Sequence, residues 1–205
     1  MEILIATHNL AKLGRYKRLI EGIAGIRAVS LLNLGITEKV DEIFETNSEN
    51  AMHKAVAYGK MSGKITLAID EAVTTNFLPE NEQPGVYVRR FGGNKKELTD
   101  REVIDVWKKI YAQYPQKNKE FIWNFAAAFF NPENSAKGSC LVRQVSYAVE
   151  KFSKRKTTGY PMSAIMSPVK GGKSYLEFDE KELWVIEQEN FKGFLEVFGS
   201  WIEKN

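Results

Sequence analysis

Cysteine and histidine are almost absent: the 205 residues contain one of the first and two of the second. A single thiol, Cys140, excludes an intramolecular disulfide and any metal cluster built on cysteine, and it suits a reducing compartment. It sits in an apolar, strand-like stretch and reads as packing rather than as a nucleophile. Long hydrophobic runs are missing too. No stretch approaches the roughly 20 residues that span a bilayer, and the opening MEILIATHN has neither a basic leader nor an apolar core for export, so the expected location is the cytoplasm. Internal repeats and low-complexity tracts are absent. Nor does one sign of charge dominate. The formal net charge of +3 tolerates a nucleic acid or a phosphorylated small molecule and identifies neither. Part of the excess lies in KFSKRK (151–156), read as a solvated loop or strand end, with a polyanion contact as the alternative.

What is present describes an ordered chain. Hydrophobic residues make up 43% and aromatics 12%, enough to bury a sizeable interior as one large domain or as two lobes around a shared core. EILIAT (2–7) is short, apolar and β-branched, as a buried strand is, and after His8-Asn9 a helical pattern follows through Leu10, Leu13, Tyr16 and Leu19-Ile20. A second strand is centred on Val29 to Leu32. Asn47 or Ser48 is placed to cap a helix that runs to Ser62 and stops at Gly63, with Ala51, Ala55, Val56 and Gly59 on the side facing a sheet. ITLAI (65–69) reads as a buried strand, and 76–93 as a turn-rich loop. A helix follows from Thr99 to Pro115, then FIWNFAAAFF (121–130) and SCLVRQVSYAV (139–149) as a long hairpin. Phe191, Phe194-Leu195, Phe198 and Ile202 fall at helical spacing near the C-terminus. The fold class expected is α/β: a mixed central sheet with flanking helices, one domain over 1–205 in two lobes around a nucleotide-binding cleft, the β-rich lobe at roughly 120–170.

Three stretches carry candidate chemistry. In ATHNLAK (6–12) a strand end turns into a helix, presenting backbone N–H groups and the positive end of a helix dipole; Thr7, His8 and Asn9 lie in the turn and Lys12 can bring an ammonium to the same place. Such a turn suits a triphosphate, and equally an ordinary Asn9 cap with a surface lysine. The second stretch is acidic: Asp41, Glu42, Glu45, Glu49, Asp70 and Glu71. Mg²⁺ takes a few carboxylate oxygens together with substrate phosphates and water, and open α/β sheets bind ligands at the carboxyl ends of their strands. First-turn helix acids account for Glu49 but not for Asp70, placed by this reading at a strand tip beside Leu67 and Ile69. The third is PGVYVRRFGG (84–93), whose Arg89 and Arg90 offer planar forks for phosphate or form an ordinary glycine-flanked turn.

In this order the pieces resemble the inosine triphosphate pyrophosphatase family, enzymes that cleave non-standard purine nucleoside triphosphates to the monophosphate and pyrophosphate. The family's Thr-x-Asn-x-x-Lys turn is matched by Thr7, Asn9 and Lys12; its Glu-Thr pair by Glu45-Thr46; its Glu-Asn-Ala helix start by Glu49-Asn50-Ala51. The family's Asp-Asp-Ser-Gly-Leu is represented by Ile69-Asp70-Glu71-Ala72-Val73, with one Asp kept. Its Pro-Gly-x-Tyr-x-x-Arg-aromatic-x-Gly loop is matched by Pro84, Gly85, Tyr87, Arg90, Phe91 and Gly93. The resemblance covers residues 2–93, and beyond 120 only the β-rich outline and helical end agree.

The departures concentrate where the family reads its base. A Phe-Gly-aromatic-Asp-Pro turn is here Thr158-Gly159-Tyr160-Pro161, a Ser-His-Arg on the last helix is here Glu189-Asn190-Phe191-Lys192, and a lysine before that helix has no clear counterpart in ELWVIEQ (182–188). The resemblance implies Mg²⁺ held by Glu45 and Asp70, with Glu49 as substitute, and Asp70 and Lys12 as catalytic groups. It also implies substrate contacts from Thr7, His8, Asn9, Lys12 and Arg90, base stacking by Tyr87, Phe91 or Tyr160, and a homodimer. A nucleoside triphosphate is then the expected partner, with no membrane and no stable nucleic-acid partner. Two other readings stand beside it: a catalytically silent nucleotide-binding or interaction protein on the same scaffold, and a pyrophosphatase for modified pyrimidine nucleotides.

Overall fold

The computed structural model describes residues 1–90, 96–115 and 118–205. Among them six strands, β1 (Glu2–Ala6), β2 (Arg27–Ser30), β3 (Thr66–Thr75), β4 (Glu120–Phe130), β5 (Lys137–Ala148) and β6 (Met166–Ser167), form one sheet in the order β2-β1-β3-β4-β5-β6. Five α-helices accompany it: α1 (Leu10–Glu21), α2 (Asn47–Ser62), α3 (Asp100–Gln113), α4 (Glu180–Asn190) and α5 (Lys192–Lys204). β1 runs parallel to both β2 and β3 while β5 and β6 are antiparallel, so the sheet is mixed and the fold α/β. No helix among the described residues is long and apolar enough to cross a membrane.

The chain divides into two compact units. Unit 1 comprises Met1–Glu71, Phe125–Val142 and Asn190–Asn205; unit 2 comprises Ala72–Asn124 and Arg143–Glu189.

In unit 1 the apolar run of β1 is wholly buried, and α1 lays Tyr16, Leu19 and Ile20, spaced as one helical face, into the interior. α2 faces the sheet with small residues. Ala51 and Ala55 are buried, and a Cβ on Gly59 would come within 2.5 Å of the Phe130 ring, so only glycine permits that approach. Helix α2 begins one residue earlier than the expected caps: Thr46 is the N-cap, its hydroxyl accepting from Glu49 N. Gly63, at φ +65°, ends it as anticipated. α5 buries Phe194 and Phe198, which with Phe191 pack on Phe129, Phe125 and Tyr16. Each ring so buried contributes about 2 kcal/mol of transfer free energy.

In unit 2, α3 opens with a capping box between Thr99 and Glu102 and buries Val103 and Trp107 among Phe77, Tyr111 and Phe121. An antiparallel bridge between Val73 and Gly85 pins the loop that follows β3.

Two elements differ from the sequence reading. β3 does not stop at Ile69 but continues through Asp70 and Glu71 to Thr75. Carboxylates in the interior of a strand break the apolar run that marked it, so the pattern ended before the strand did. α4 was not anticipated, because its exposed or half-buried residues, none fully buried, lack a clear apolar stripe.

Candidate active site

β1 pairs with β3 from Leu4 opposite Thr66 to Ala6 opposite Ala68. There β1 turns into α1 while β3 continues, so Asp70 and Glu71 extend past the last paired residues toward the turn at 7–9. Asp70 is therefore not at the tip of its own strand; it lies beyond the carboxyl end of the neighbouring one. Successive strand residues point to opposite faces, and the two acids accordingly meet different cations. Lys54 on α2 donates to Asp70 Oδ1 at 2.9 Å, and Lys12 on α1 lies 3.5 Å from Glu71. Lys54 also donates to Glu42 at 2.9 Å. Three carboxylates, Glu42, Asp70 and Glu71, thus surround two ammonium groups, and only Glu42 is substantially solvated.

Burial raises the pKa of Asp70; Lys54 opposes that shift, while the charge of Glu42 reinforces it. For Glu42 burial acts in the same upward direction, but the ammonium of Lys54 outweighs it and holds that carboxyl below its ordinary value. Lys54 in turn is raised: desolvation works against its charge, and the two carboxylates more than compensate. This is how the interior tolerates Asp70. Its charge is matched at hydrogen-bond distance.

Glu42 is positioned by anchors on either side of it in an irregular segment. Val40 N donates to the Tyr58 hydroxyl at 3.1 Å, and the Asn50 amide clasps both Phe44 N and Phe44 O at 3.0 Å. The carboxylate brought to Asp70 is therefore Glu42, whereas Glu45, the expected metal ligand, is exposed just before the Thr46 cap. Glu49 is engaged by the Thr46 hydroxyl at 2.6 Å and serves the helix start. Lys54 escaped the sequence reading altogether. The signal was available: Ala51, Lys54, Ala55 and Tyr58 share one face of α2, and a lysine within a buried stripe requires a partner.

The turn at 7–9 is more self-contained than a bare helix end. Asn9 Oδ1 accepts from Ala11 N at 2.9 Å and Lys12 N at 3.2 Å, and Thr7 Oγ1 accepts from Asn9 N at 3.1 Å. Those amides are occupied, so any attraction for anions at this turn falls mainly on the Lys12 side chain. The His8 ring lies 3.3 Å from the Tyr58 hydroxyl and 3.1 Å from Glu38 O.

The remaining candidates lie in unit 2. The Arg90 guanidinium sits 5.4 Å from the centroid of the exposed Tyr87 ring. Arg89 is a latch: it donates to Asp100 at 2.6 Å and to Gly159 O at 3.2 Å, and Gly159 N donates to the other Asp100 oxygen at 3.1 Å. That ties the Tyr87–Arg90 loop to the turn bearing Tyr160, which precedes the 3₁₀ turn Pro161–Ala164. Phe91 and Gly93 lie outside the described residues.

Among the described residues no group of three or more His, Cys, Asp or Glu side chains is arranged to enclose a metal ion. The donors present, Asp70 and Glu42, are hard oxygens of the kind that hold Mg²⁺ jointly with phosphates and water.

Comparison with known proteins places the chain in a family. The model of the Ham1 family matches residues 3–182, and the chain belongs to that family. The dITP/XTP pyrophosphatase of Bacillus licheniformis is 37% identical over 95 residues, which is 46% of this chain and 47% of that protein. The alignment thus spans about half of that relative's length. The dITP/XTP pyrophosphatase of Bacillus cereus is 27% identical over 185 residues, 88% of this chain and 86% of its own. Among solved structures, a HAM1 protein from Coxiella burnetii superimposes with a TM-score of 0.74 at 22% identity, covering 100% of both chains, and shares the fold.

Proposed function

We propose that the chain is a nucleoside triphosphate pyrophosphatase, hydrolysing non-standard purine nucleoside triphosphates to the monophosphate and pyrophosphate with Mg²⁺. The observation that carries this reading is the meeting of Lys12 and Asp70, 58 positions apart in the chain, in one cluster. Family membership and the names of the relatives support it.

In this reading water attacks the α-phosphorus, the bond from that phosphorus to its bridging oxygen breaks, and pyrophosphate departs. Asp70, ionised, orients the water and takes its proton. Lys12 stabilises charge gathering on the leaving pyrophosphate, and Glu71 holds that ammonium in place. Asp70 and Glu42 are the residues that would hold Mg²⁺, which when bound acts as Lewis acid and template for the phosphates. Within unit 2, Arg90 pairs a cation with the exposed Tyr87 ring, and Arg89 ties their loop to the turn bearing Tyr160.

The base preference is altered in this proposal. Phe191, standing in the stretch where the resemblance expects Ser-His-Arg, is buried against Tyr16, Phe125 and Phe194 and presents no donor. A site lacking such donors discriminates less strongly among bases. The protein acts in the cytoplasm and pairs as a homodimer in this account; light scattering of the purified chain tests the pairing. One observation favours a second reading, nucleotide binding without turnover: Lys54 already bridges the two carboxylates a cation would use. A panel of nucleoside triphosphates with Mg²⁺ separates the two. Pyrophosphate release supports the enzyme; saturable binding without product from folded protein supports the silent binder.

A further inference from the structure

We infer that unit 2 contains a second anion site, a cavity that takes the phosphate groups of a small phosphorylated molecule. The cavity measures about 770 Å³ and is formed by the end of β5 with the segment after it, the turn at 171–174 and Glu177. Neither Lys12 nor Asp70 lines it, so it is independent of the site described above.

Two observations converge. The wall carries four cations, Lys151, Lys154, Arg155 and Lys173, against two acids, Glu150 and Glu177. Arg155 lies 3.7 Å from Glu177 and Lys173 pairs with Glu182 at 3.0 Å, while Lys151 and Lys154 have no ion-pair partner among the described residues. Finally, the wall between Lys173 and β6 is glycine: Gly171 has φ +69°, and a Cβ on Gly172 would meet Ser167 Oγ at 2.7 Å and Val169 O at 2.9 Å. The turn is confined to backbone atoms and leaves the cavity open beside it.

A small phosphorylated ligand fits better than a nucleic acid. The volume is that of a small-molecule site, and Phe152, fixed edge-on against Tyr111 at 5.2 Å, gives an apolar wall for the organic portion. A nucleic acid would seek an uninterrupted basic stripe, and Glu150 and Glu177 interrupt this one.

Calorimetry of the whole chain with inorganic pyrophosphate, without divalent cation, tests the assignment. The expected result is a binding component that Lys12→Ala leaves in place and that Lys151→Ala/Lys154→Ala weakens by about tenfold or more. The proposal is overturned if no component survives Lys12→Ala, or if the double lysine variant binds like the wild type. It is equally overturned if a single-stranded oligonucleotide displaces pyrophosphate from this component with a steep salt dependence.

Discussion

Replacing Lys54 by Met removes one ammonium from between two carboxylates and keeps the volume of the side chain. At an effective dielectric of about 20, charges 2.9 Å apart attract by roughly 6 kcal/mol, most of which the cost of desolvating both groups cancels. What the substitution exposes is that cost without its compensation. Asp70 is 7% exposed and Lys54 11%, so this pair is buried and losing its cation costs about 3 kcal/mol, the lower end for a broken buried pair. The Glu42 side chain is 35% exposed and adds little, because water re-solvates it. For a chain of this length about 3 kcal/mol lowers the melting temperature by roughly 10 °C. Urea unfolding at pH 7 measures the free energy directly, and Lys54→Met/Asp70→Asn should recover part of the loss, since the orphaned charge is then gone. A loss below about 1 kcal/mol for Lys54→Met, or a double variant worse than the sum of the singles, would show that the cluster does not carry the electrostatic coupling assigned to it.

Other expectations follow from the same geometry. Because burial raises Asp70 above its ordinary value of 3.8, its carboxyl in the protein without Mg²⁺ should titrate above the usual aspartate range, as carboxyl NMR shifts would read. Lys54→Met should move that titration to still higher pH, since Lys54 opposes the shift. In folding, the raised Lys54 contributes stability fully present below 10.5 and lost as pH rises through its elevated pKa. Alkaline destabilisation in urea should therefore flatten in Lys54→Met. Glu42→Gln should weaken Mg²⁺ binding by tenfold or more, as about 1.4 kcal/mol or more would, while Glu45→Gln leaves it unchanged; equal effects would return the metal to Glu45. Gly59→Ala drives a methyl group into the Phe130 ring and should cost about 1–3 kcal/mol in thermal unfolding. No loss there would mean that α2 can move off the sheet.

The fold was legible where burial and period agree. β1, α1, the body of α2, α3 and the aromatic stripe of α5 announce themselves by apolar spacing, and Gly63 and Thr99 mark boundaries by cap chemistry. α4 was silent because it buries no residue completely. The candidate cluster was half legible. Thr7, Asn9, Lys12 and Asp70 are marked by their position around the end of β1, but Lys54 and Glu42 depend on tertiary placement: one on which face α2 turns inward, the other on two anchors, Tyr58 and Asn50, that fix an irregular segment. Nothing local distinguishes Glu42 from Glu45. The two anchors together set which of them reaches Asp70.

The most direct measurement follows product identity in wild type and Asp70→Asn side by side, with Mg²⁺ and a panel that includes deoxyinosine and xanthosine triphosphates. The account predicts pyrophosphate and nucleoside monophosphate from the wild type, and a rate reduced by about 10²-fold or more in Asp70→Asn while the variant stays folded. Orthophosphate as the product, or undiminished turnover by Asp70→Asn, would contradict it.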